Sequence, residues 1–297
     1  MTAARDWAEL LRVSALFTTP GDALAGAAAS GLRPGSRTLL AAGASACLYG
    51  AGMALNDWAD RAEDAVERPH RPIPSGRITP GQALATATGL TTAGIGLALA
   101  AGRPAALTAT ALAGAVWAYD LRLKHTPAAA AAMAAGRGLD LLLGAVATAG
   151  SPAAAGRAAR RAVLPAAALS AHTYCVTAVS RTETRGGAPG TALAALGATA
   201  AIGVLAGRGR GRPARTLRAR TRAALAGAYV ATAAGPYLHA ALNPSPPLTQ
   251  RAVGGGIRAV VPLQAVLTAR SGPLGAAALI TALAPVVRRL ARTVSPT

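Results

Sequence analysis

Long apolar stretches separated by short polar loops run through almost the whole 297-residue chain. Most approach the roughly 17–25 apolar residues that a helix needs to cross a bilayer. The pattern predicts an all-α polytopic membrane protein, one domain over residues 1–297, with about nine transmembrane helices in a bundle around a central cavity. We place the spans at 12–31, 38–55, 83–102, 104–120, 127–149, 161–180, 190–207, 222–241 and 273–290.

A further apolar stretch, 252–269, is weaker than the others. We interpret it as an interfacial or re-entrant segment rather than a span. Many of the nine stretches are themselves rich in alanine rather than leucine, so it is their number that indicates a membrane protein.

With nine spans, three of the polar loops fall on one face of the bundle. These loops are 56–82, 120–127 and 180–190, and their shared face predicts a single functional site. A fourth loop, 207–222, carries seven arginines and falls on the opposite face. The basic residues are therefore divided between both faces, and the excess of positive charge expected in cytoplasmic loops does not orient the chain.

The net charge of +19 raises the possibility of a nucleic-acid-binding protein, which the composition argues against. Only 3% of the residues are aromatic, and no aromatic–basic recognition pattern is present. Between apolar stretches, arginines are placed to meet the lipid headgroups of a bilayer and the phosphates of a substrate.

The acidic residues are concentrated in one segment. Of 11 acidic residues in the chain, five lie in the stretch LNDWADRAEDAVERPHRPIPSG at 55–76. On a helix, Asp57, Asp60 and Asp64 stand at i, i+3 and i+7 and fall within an arc of roughly 60°. Converging carboxylates repel one another unless a cation binds, and a few hard oxygen ligands suit Mg²⁺. An alternative is an ordinary solvated loop.

Arginines and prolines follow the acidic residues directly. Arg68, Arg71 and Arg77 alternate with prolines that end the helix, and guanidinium groups bind phosphate oxygens in a bidentate manner. Carboxylates for Mg²⁺ beside arginines for phosphate predict a diphosphate site. At the mouth of a helical bundle, such a site leaves the isoprenoid tail among apolar helices.

This segment resembles the first aspartate-rich motif of the UbiA superfamily of intramembrane prenyltransferases, NDxxDxxxD followed by RPxRPxPSG. The resemblance implies that Asn56, Asp57, Asp60 and Asp64 bind Mg²⁺ and diphosphate, and that Arg68 and Arg71 contact phosphate. It also implies the family's fold and an active site whose loops face the cytoplasm from the cell membrane.

Two other loops are similar to family motifs to different degrees. In YDLRLKHTP the resemblance implies that Lys124 touches diphosphate and Tyr119 lines the cavity, although Lys124 is equally interpretable as an interfacial residue. The second acidic motif is degenerate in VSRTETRGG, where Glu183 alone remains as a metal ligand. Such departures resemble the EboC-type subgroup.

Several polar residues lie inside apolar stretches. Arg137 and Asp140 are either a structural i, i+3 ion pair or cavity residues that face phosphate and a metal or acceptor. Tyr119, Tyr174 and Trp117 are candidates to stabilise a carbocation. Asp22, His172 and His239 are lesser candidates, and for the histidines we favour a packing role.

Three functions remain open at this point. The first is an Mg²⁺-dependent prenyltransferase that ionises an isoprenyl diphosphate and passes the prenyl group to an aromatic or other small-molecule acceptor. The second is a terpene cyclase on the same scaffold, which needs no acceptor. The third is a non-catalytic carrier of prenyl lipids or a partner in a pathway.

Overall fold

The computed structural model describes residues 3–16, 19–183, 186–208 and 216–282. Within these ranges the chain is helical and contains no strand. A π-helical turn, Tyr119–Leu123, follows α7, and residues 274–282 are also helical. The α-helices are α1 Ala3–Leu10, α2 Val13–Leu16, α3 Thr19–Ser30, α4 Ser36–Ala59, α5 Arg61–Glu67, α6 Pro80–Ala101, α7 Arg103–Ala118, α8 Ala129–Ala149, α9 Pro152–Ser180, α10 Pro189–Gly207, α11 Leu217–Leu242 and α12 Pro246–Ser271.

Local sequence signals account for several helix ends. Thr79 and Gln82 form a reciprocal capping box at the start of α6, with Pro80 in its first turn. At the start of α9, the hydroxyl of Ser151 accepts from the backbone N–H of Ala154, before Pro152 in the first turn. Gly102 and Gly150 have φ angles of 138° and 76°, which only glycine adopts without strain, and so allow the tight turns after α6 and α8.

Six of the described helices are long and apolar enough to cross a membrane: α4, α6, α8, α9, α10 and α12. The fold is therefore that of an all-α, multi-pass membrane protein, as the sequence predicted. The count of nine spans stays a prediction, because five of the six candidates are among the nine and α12 is not. Of the remaining predicted spans, α3 and α7 are short, α11 is not among the six, and 273–290 lies partly outside the described residues.

The interpretation of 252–269 as an interfacial segment was wrong. This stretch lies within α12, a continuous helix of 26 residues that packs on α3 as well as on α11, and so closes the bundle. Arginines and the run Gly254–Gly256 lower its hydropathy, but the glycines allow close packing. A Cβ added at Gly256 would lie 2.5 Å from the hydroxyl of Tyr237 on α11.

Close contact between α3 and α8 fixes the centre of the bundle. A Cβ at Gly26 would lie 2.1 Å from the carbonyl oxygen of Leu141, and one at Gly144 would lie 2.5 Å from that of Ala23. Small residues at such a contact let two helix backbones touch, as in many membrane proteins. The contact brings Asp22 on α3 opposite Arg137 and Asp140 on α8.

Arginines near loop 207–222 bind backbone carbonyl groups at the C-terminal ends of α10 and α12. Arg222 Nε donates to the Gly207 carbonyl at 2.8 Å, and Arg218 donates to that of Gly272 at 2.7 Å. Arg270 donates to Leu205 O at 2.7 Å. These cations satisfy carbonyl groups and oppose the negative ends of the helix dipoles, which gives the arginines around loop 207–222 a structural role.

Candidate functional site

The loops predicted to share one face do meet at one end of the bundle. Lys124 forms an ion pair with Asp60, and Asn56 Nδ2 donates to Asp120 Oδ1 at 3.0 Å, which joins loops 56–82 and 120–127. Arg181 donates to the carbonyl oxygen of Thr126 and so adds loop 180–190. We call this end the mouth, defined by four carboxylates and four cations: Asp57, Asp60, Asp64, Asp120, Arg12, Arg68, Arg71 and Lys124.

Of the three aspartates predicted to converge, Asp57 and Asp64 meet at Arg71, whereas Asp60 pairs with Lys124, and the three do not lie on one continuous helix. The chain breaks at Asp60 between α4 and α5, where the Asp60 N–H donates to Asn56 O and its carbonyl accepts from Asp64 N. Asp57 and Asp64 are both buried. Arg71 Nη1 lies 2.7 Å from Asp64 Oδ2 and 3.5 Å from Asp57 Oδ1, and so bridges the two.

Further cations surround these carboxylates. Arg68 Nη1 lies 3.3 Å from Asp64, as expected for a residue that follows it by one helical turn. Arg12, near the N-terminus, donates from Nη2 to Asp57 at 3.0 Å. Sequence reasoning missed Arg12 because its contact with Asp57 spans 45 residues. It also missed Asp120, although that buried acid stands beside Tyr119 in a loop already singled out.

Arg77 does not join the mouth. It donates to Glu9 at 3.0 Å, to Asp6 and to the carbonyl of His70, and so fastens α1 to the loop after α5. Hydrogen bonds from this guanidinium to Glu9 and Asp6 raise the pKa of Arg77. Its role is therefore to hold the N-terminal segment, and with it Arg12, against the mouth.

A cavity of about 500 Å³ extends from the mouth into the bundle. Its walls come from α4, α7, α8, α9 and α12, and are mostly apolar. Asn56, Tyr119 and Asp120 line the end at the mouth, together with Arg12. The placement of Tyr119 agrees with the prediction, and Tyr49 and Met53 on α4 are further wall residues that the sequence did not single out.

Three of the predicted aromatic and acidic residues lie elsewhere. Tyr174 is 48% exposed on the outside of α9, because positions 172, 173, 176, 177 and 180 face the cavity and 174 points away. Trp117 donates to Thr91 on α6 at 3.1 Å rather than facing the cavity. Glu183 is half-buried and forms no side-chain hydrogen bond or ion pair with the described residues.

The opposite end of the cavity is polar too. Arg137 Nε lies 3.1 Å from Asp22 Oδ2, Gln264 Nε2 donates to Asp22 Oδ1 at 2.7 Å, and Ser45 donates to Asp140 Oδ2 at 2.7 Å. We call these five residues, Asp22, Ser45, Arg137, Asp140 and Gln264, the floor. Arg137 therefore pairs with Asp22, and the predicted i, i+3 ion pair with Asp140 is not among the ion pairs of the described residues.

His172 stands at the level of the floor and has a packing role. Its Nδ1 lies 3.0 Å from the hydroxyl of Tyr229, and its Nε2 lies 3.0 Å from the carbonyl oxygen of Gly256. Both ring nitrogens are therefore used within the protein, as we favoured for this buried histidine.

The ligand atoms of the mouth fit a hard divalent cation. Carboxylate oxygens from Asp57, Asp60 and Asp64 are the ligands that Mg²⁺ prefers. Among the described residues, the group of three whose ligand atoms lie within 4.8 Å of one another is Asp60, Glu63 and His125, at the exposed side of the mouth, rather than the three aspartates. Each of the three aspartates is held by arginine or lysine, so a bound cation would replace a positive partner rather than enter a neutral cavity.

Fold and site together define a class: a polytopic helical membrane protein whose charged mouth opens into a largely apolar cavity. The family model of the UbiA prenyltransferase family matches residues 14–206, and the chain belongs to that family. The matched region contains all of the mouth except Arg12 and all of the floor except Gln264.

Similar proteins agree with this membership. Digeranylgeranylglyceryl phosphate synthase of Methanopyrus kandleri is 36% identical over 115 residues, 39% of this chain and 41% of that protein, so the match spans about two fifths of the relative's length. A solved structure of a digeranylgeranylglyceryl phosphate synthase in membranes shares the fold at 17% identity, with a TM-score of 0.62 over 91% of this chain and 99% of the other.

A second solved structure is that of a UbiA homologue from Archaeoglobus fulgidus bound to DMAPP and Mg²⁺. Its TM-score is 0.50 at 14% identity, over 86% of this chain and 99% of that one. At such identities the likeness concerns the fold.

Proposed function

We propose that this protein is an intramembrane enzyme that uses Mg²⁺ to ionise an isoprenyl diphosphate and transfers the prenyl group to an acceptor. The observation that carries the proposal is the continuity of the mouth with the cavity. Buried aspartates, bridged by Arg71, lead through Asn56 and Tyr119 directly into a chamber with apolar walls. A prenyl diphosphate has the same two parts, a charged head and an apolar tail.

The comparisons support the same function. The Archaeoglobus fulgidus homologue, which shares this fold, binds DMAPP and Mg²⁺, and relatives are named digeranylgeranylglyceryl phosphate synthase. We propose further that the protein lies in the cell membrane with its mouth toward the cytoplasm, and that it takes a prenyl diphosphate and an aromatic or other small-molecule acceptor.

The mouth residues fall into two groups, one that would bind the metal ion and one that would bind phosphate. Asp57, Asp60 and Asp64 would hold Mg²⁺, with Asn56 beside them. Mg²⁺ bound there supplies positive charge that stabilises the departing diphosphate. Glu183, predicted as a further metal ligand, stays in the proposal only as a candidate for a second ion.

Cations around the metal ligands would bind the diphosphate oxygens. Arg68 pairs with Asp64, Arg71 with both Asp57 and Asp64, and Lys124 with Asp60. Arg12, which pairs with Asp57, is a fourth such cation. Binding of Mg²⁺ to the aspartates would free these donors for phosphate, and donors placed in advance stabilise charge that develops in the transition state. Tyr119 lies at the head of the cavity, where its ring can stabilise a carbocation.

A terpene cyclase is the second candidate. One observation favours it: among the described residues, the side chain of Glu183 forms no hydrogen bond or ion pair with the mouth, and Glu183 is the one carboxylate of the degenerate second motif. A cyclase quenches the carbocation with the substrate's own double bonds and needs no acceptor in the cavity.

The test is to incubate the purified protein with farnesyl or geranylgeranyl diphosphate and Mg²⁺, with and without acceptors, and to measure diphosphate release and organic products. Hydrocarbon products without acceptor would favour cyclisation. We expect Asp57→Ala and Asp60→Ala to abolish release, whereas Glu67→Gln, at a more exposed acid of the same segment, retains it. Equal release by wild type and Asp57→Ala would refute both enzymes, and lipid binding without release would indicate a carrier.

A further inference from the structure

One wall of the cavity is more polar than the walls beside it. The side chains that α7 and α12 contribute to the lining are all apolar: Leu112, Ala115, Val116, Val253, Ile257 and Val260. Helix α9 instead contributes three hydroxyl groups, from Thr173, Thr177 and Ser180. These residues stand at i, i+4 and i+7 and so follow one face of the helix, and we call them the polar row. The cavity therefore offers an apolar side to a prenyl chain and a polar side to a second molecule.

The middle member of the polar row lacks a hydrogen-bond partner. A hydroxyl group inside a helix commonly bonds the carbonyl oxygen four residues earlier, as Thr173 does with Leu169 O at 3.0 Å. The hydroxyl group of Thr177 forms no hydrogen bond with any of the described residues, although Thr177 is only half-buried and lines the cavity. It is therefore within reach of a molecule in the cavity, and a hydrogen bond to that molecule would stabilise the complex.

The other two hydroxyl groups of the row can accept further hydrogen bonds but not donate them. Thr173 and Ser180 use their hydrogens within the protein, since Ser180 donates to Thr177 O at 2.9 Å. Ser180 lies at the mouth end of the row, because the neighbouring Arg181 donates to the carbonyl oxygen of Thr126 in loop 120–127. The row therefore favours a ligand that carries O–H or N–H donors.

Asp120 adds one more acceptor at this end of the cavity. Unlike the other three carboxylates of the mouth, it forms no ion pair with the described residues. Asn56 donates to its Oδ1, whereas Oδ2 has no hydrogen bond within the part of the chain that the structure describes. Oδ2 is not enclosed by protein, and Asp120 lines the cavity. A donor on a ligand can therefore reach this oxygen.

The chemistry and length of the row indicate the class of ligand. Thr177 both donates and accepts, so a hydroxyl group matches it, whereas a protonated amine cannot accept. Four cations already surround the mouth, and they would repel a positively charged ligand. From Thr173 to Ser180 the row extends about 10 Å at the α-helical rise, which is enough for several hydroxyl groups of one compact molecule.

We propose that the polar row and Asp120 bind the acceptor of the prenyl group, and that this acceptor is an aliphatic alcohol with several hydroxyl groups. One hydroxyl group donates to Asp120 Oδ2 beside the mouth, where the prenyl chain begins, and others bond Ser180 and Thr177. The prenyl chain lies against the apolar walls of α7 and α12. This inference rests on the proposed function, because it assumes that a prenyl diphosphate occupies the mouth.

The first experiment compares acceptors of equal ring size. Prenyl transfer from farnesyl diphosphate with Mg²⁺ is measured for inositol, cyclohexanol and phenol, and kcat/KM is determined for each. We expect the value for inositol to be about tenfold higher or more, because its additional hydroxyl groups bond the polar row. Equal values for inositol and cyclohexanol, or a preference for phenol, would overturn the inference.

The second experiment tests the free hydroxyl group of the row. Thr177→Val keeps the shape of the side chain without its hydroxyl group, whereas Thr177→Ser keeps the hydroxyl group. The KM of inositol should rise about three- to tenfold in Thr177→Val and stay near the wild-type value in Thr177→Ser. Thr110→Val, which removes an exposed hydroxyl group from α7 outside the cavity, is the matched control and should change nothing. An unchanged KM in Thr177→Val would show that the row does not bind the acceptor.

The third experiment separates acceptor binding by Asp120 from a role in metal or phosphate binding. Asp120→Asn replaces a carboxylate oxygen by a donor group of similar size. We expect the KM of inositol to rise about tenfold, while the KM of farnesyl diphosphate and the Mg²⁺ concentration needed for turnover change less than about twofold. The opposite pattern would remove Asp120 from the acceptor site.

The outcomes distinguish this inference from the proposed function. If diphosphate release depends on Asp57 but inositol is used no better than cyclohexanol, the inference fails and the prenyltransferase stands. If no diphosphate is released with any acceptor, both are overturned. Hydrocarbon products alone, formed equally by wild type and Thr177→Val, would support the cyclase and overturn the inference.

Discussion

The mouth and the floor are both clusters of charge at the ends of one cavity, yet they are built differently. At the mouth, four carboxylates face four cations, and most of the cations come from loops or helix ends and are partly exposed. At the floor, two buried carboxyl groups lie near one guanidinium, and Asp22, Arg137 and Asp140 come from α3 and α8, whose backbones touch. The comparison indicates that the mouth is suited to exchanging ions, whereas the floor is a fixed part of the fold.

Removal of the divalent metal should distinguish the mouth from the floor most strongly, because it should abolish activity without lowering stability. With a chelator in excess, we expect diphosphate release to fall to background, because the charge of the leaving group is no longer compensated. The melting temperature should change little, since Arg137 and Ser45 hold the carboxyl groups of the floor. Release is measured before and after Mg²⁺ is restored, and full activity in the chelator would contradict the metal's role.

Loss of the guanidinium at the floor should mainly affect stability. Arg137→Leu leaves Asp22 and Asp140 buried together without a cation, and breaking a buried pair costs about 3–5 kcal/mol. We expect a large drop in the melting temperature in detergent. The double variant Asp22→Asn/Arg137→Leu should recover much of it, and an unchanged melting temperature for Arg137→Leu would show that the pair is not needed.

Loss of Arg71, the bridging arginine of the mouth, should have the opposite effect: it should lower turnover much more than stability. Arg71→Ala removes the donor shared by Asp57 and Asp64, and removal of one donor that stabilises a transition state lowers turnover about 10²–10³-fold. Because Arg68 and Arg12 still hold the two aspartates, the melting temperature should fall far less than for Arg137→Leu. A larger loss of stability than of turnover would contradict the division between mouth and floor.

Of these four changes, Lys124→Met should have the smallest effect. Among the described residues, the ion pair of Lys124 is with Asp60, and we expect turnover to fall about tenfold, in line with the loss of one charged hydrogen bond. The KM for the prenyl diphosphate should rise if Lys124 binds phosphate. Wild-type kinetics in Lys124→Met would assign Lys124 to the membrane interface instead.

The mouth could be predicted from sequence because its ligands are close together in the chain. Asp57, Asp60, Asp64 and Arg71 lie within 15 residues, and their spacing alone indicates convergence. The helix break at Asp60 did not alter this, since backbone hydrogen bonds continue across it. The contribution of Arg12 could not be predicted, because it depends on how α1 is fastened by Arg77.

The floor could be predicted only in part, because it is assembled from distant helices. Arg137 and Asp140 stood out as charges in an apolar stretch, but their spacing suggested a pair with each other. The true partner of Arg137 is Asp22, which the contact of Gly26 with α8 brings into reach. Gln264 was missed because the stretch within α12 was interpreted as an interfacial segment. The glycines and arginines of this buried helix lower its hydropathy.

The hydrogen bond from Gln264 to Asp22 spans 242 residues and has a consequence for how the protein is made. Translation at about 5–20 residues per second separates the two residues by roughly 12–48 s. Through that interval the first long helices sit in the membrane while the chamber lacks its last wall, and Arg137 is the earlier of the two partners to reach Asp22. The nascent chain thus acquires its charge pair midway through synthesis and its closed shape only near the end.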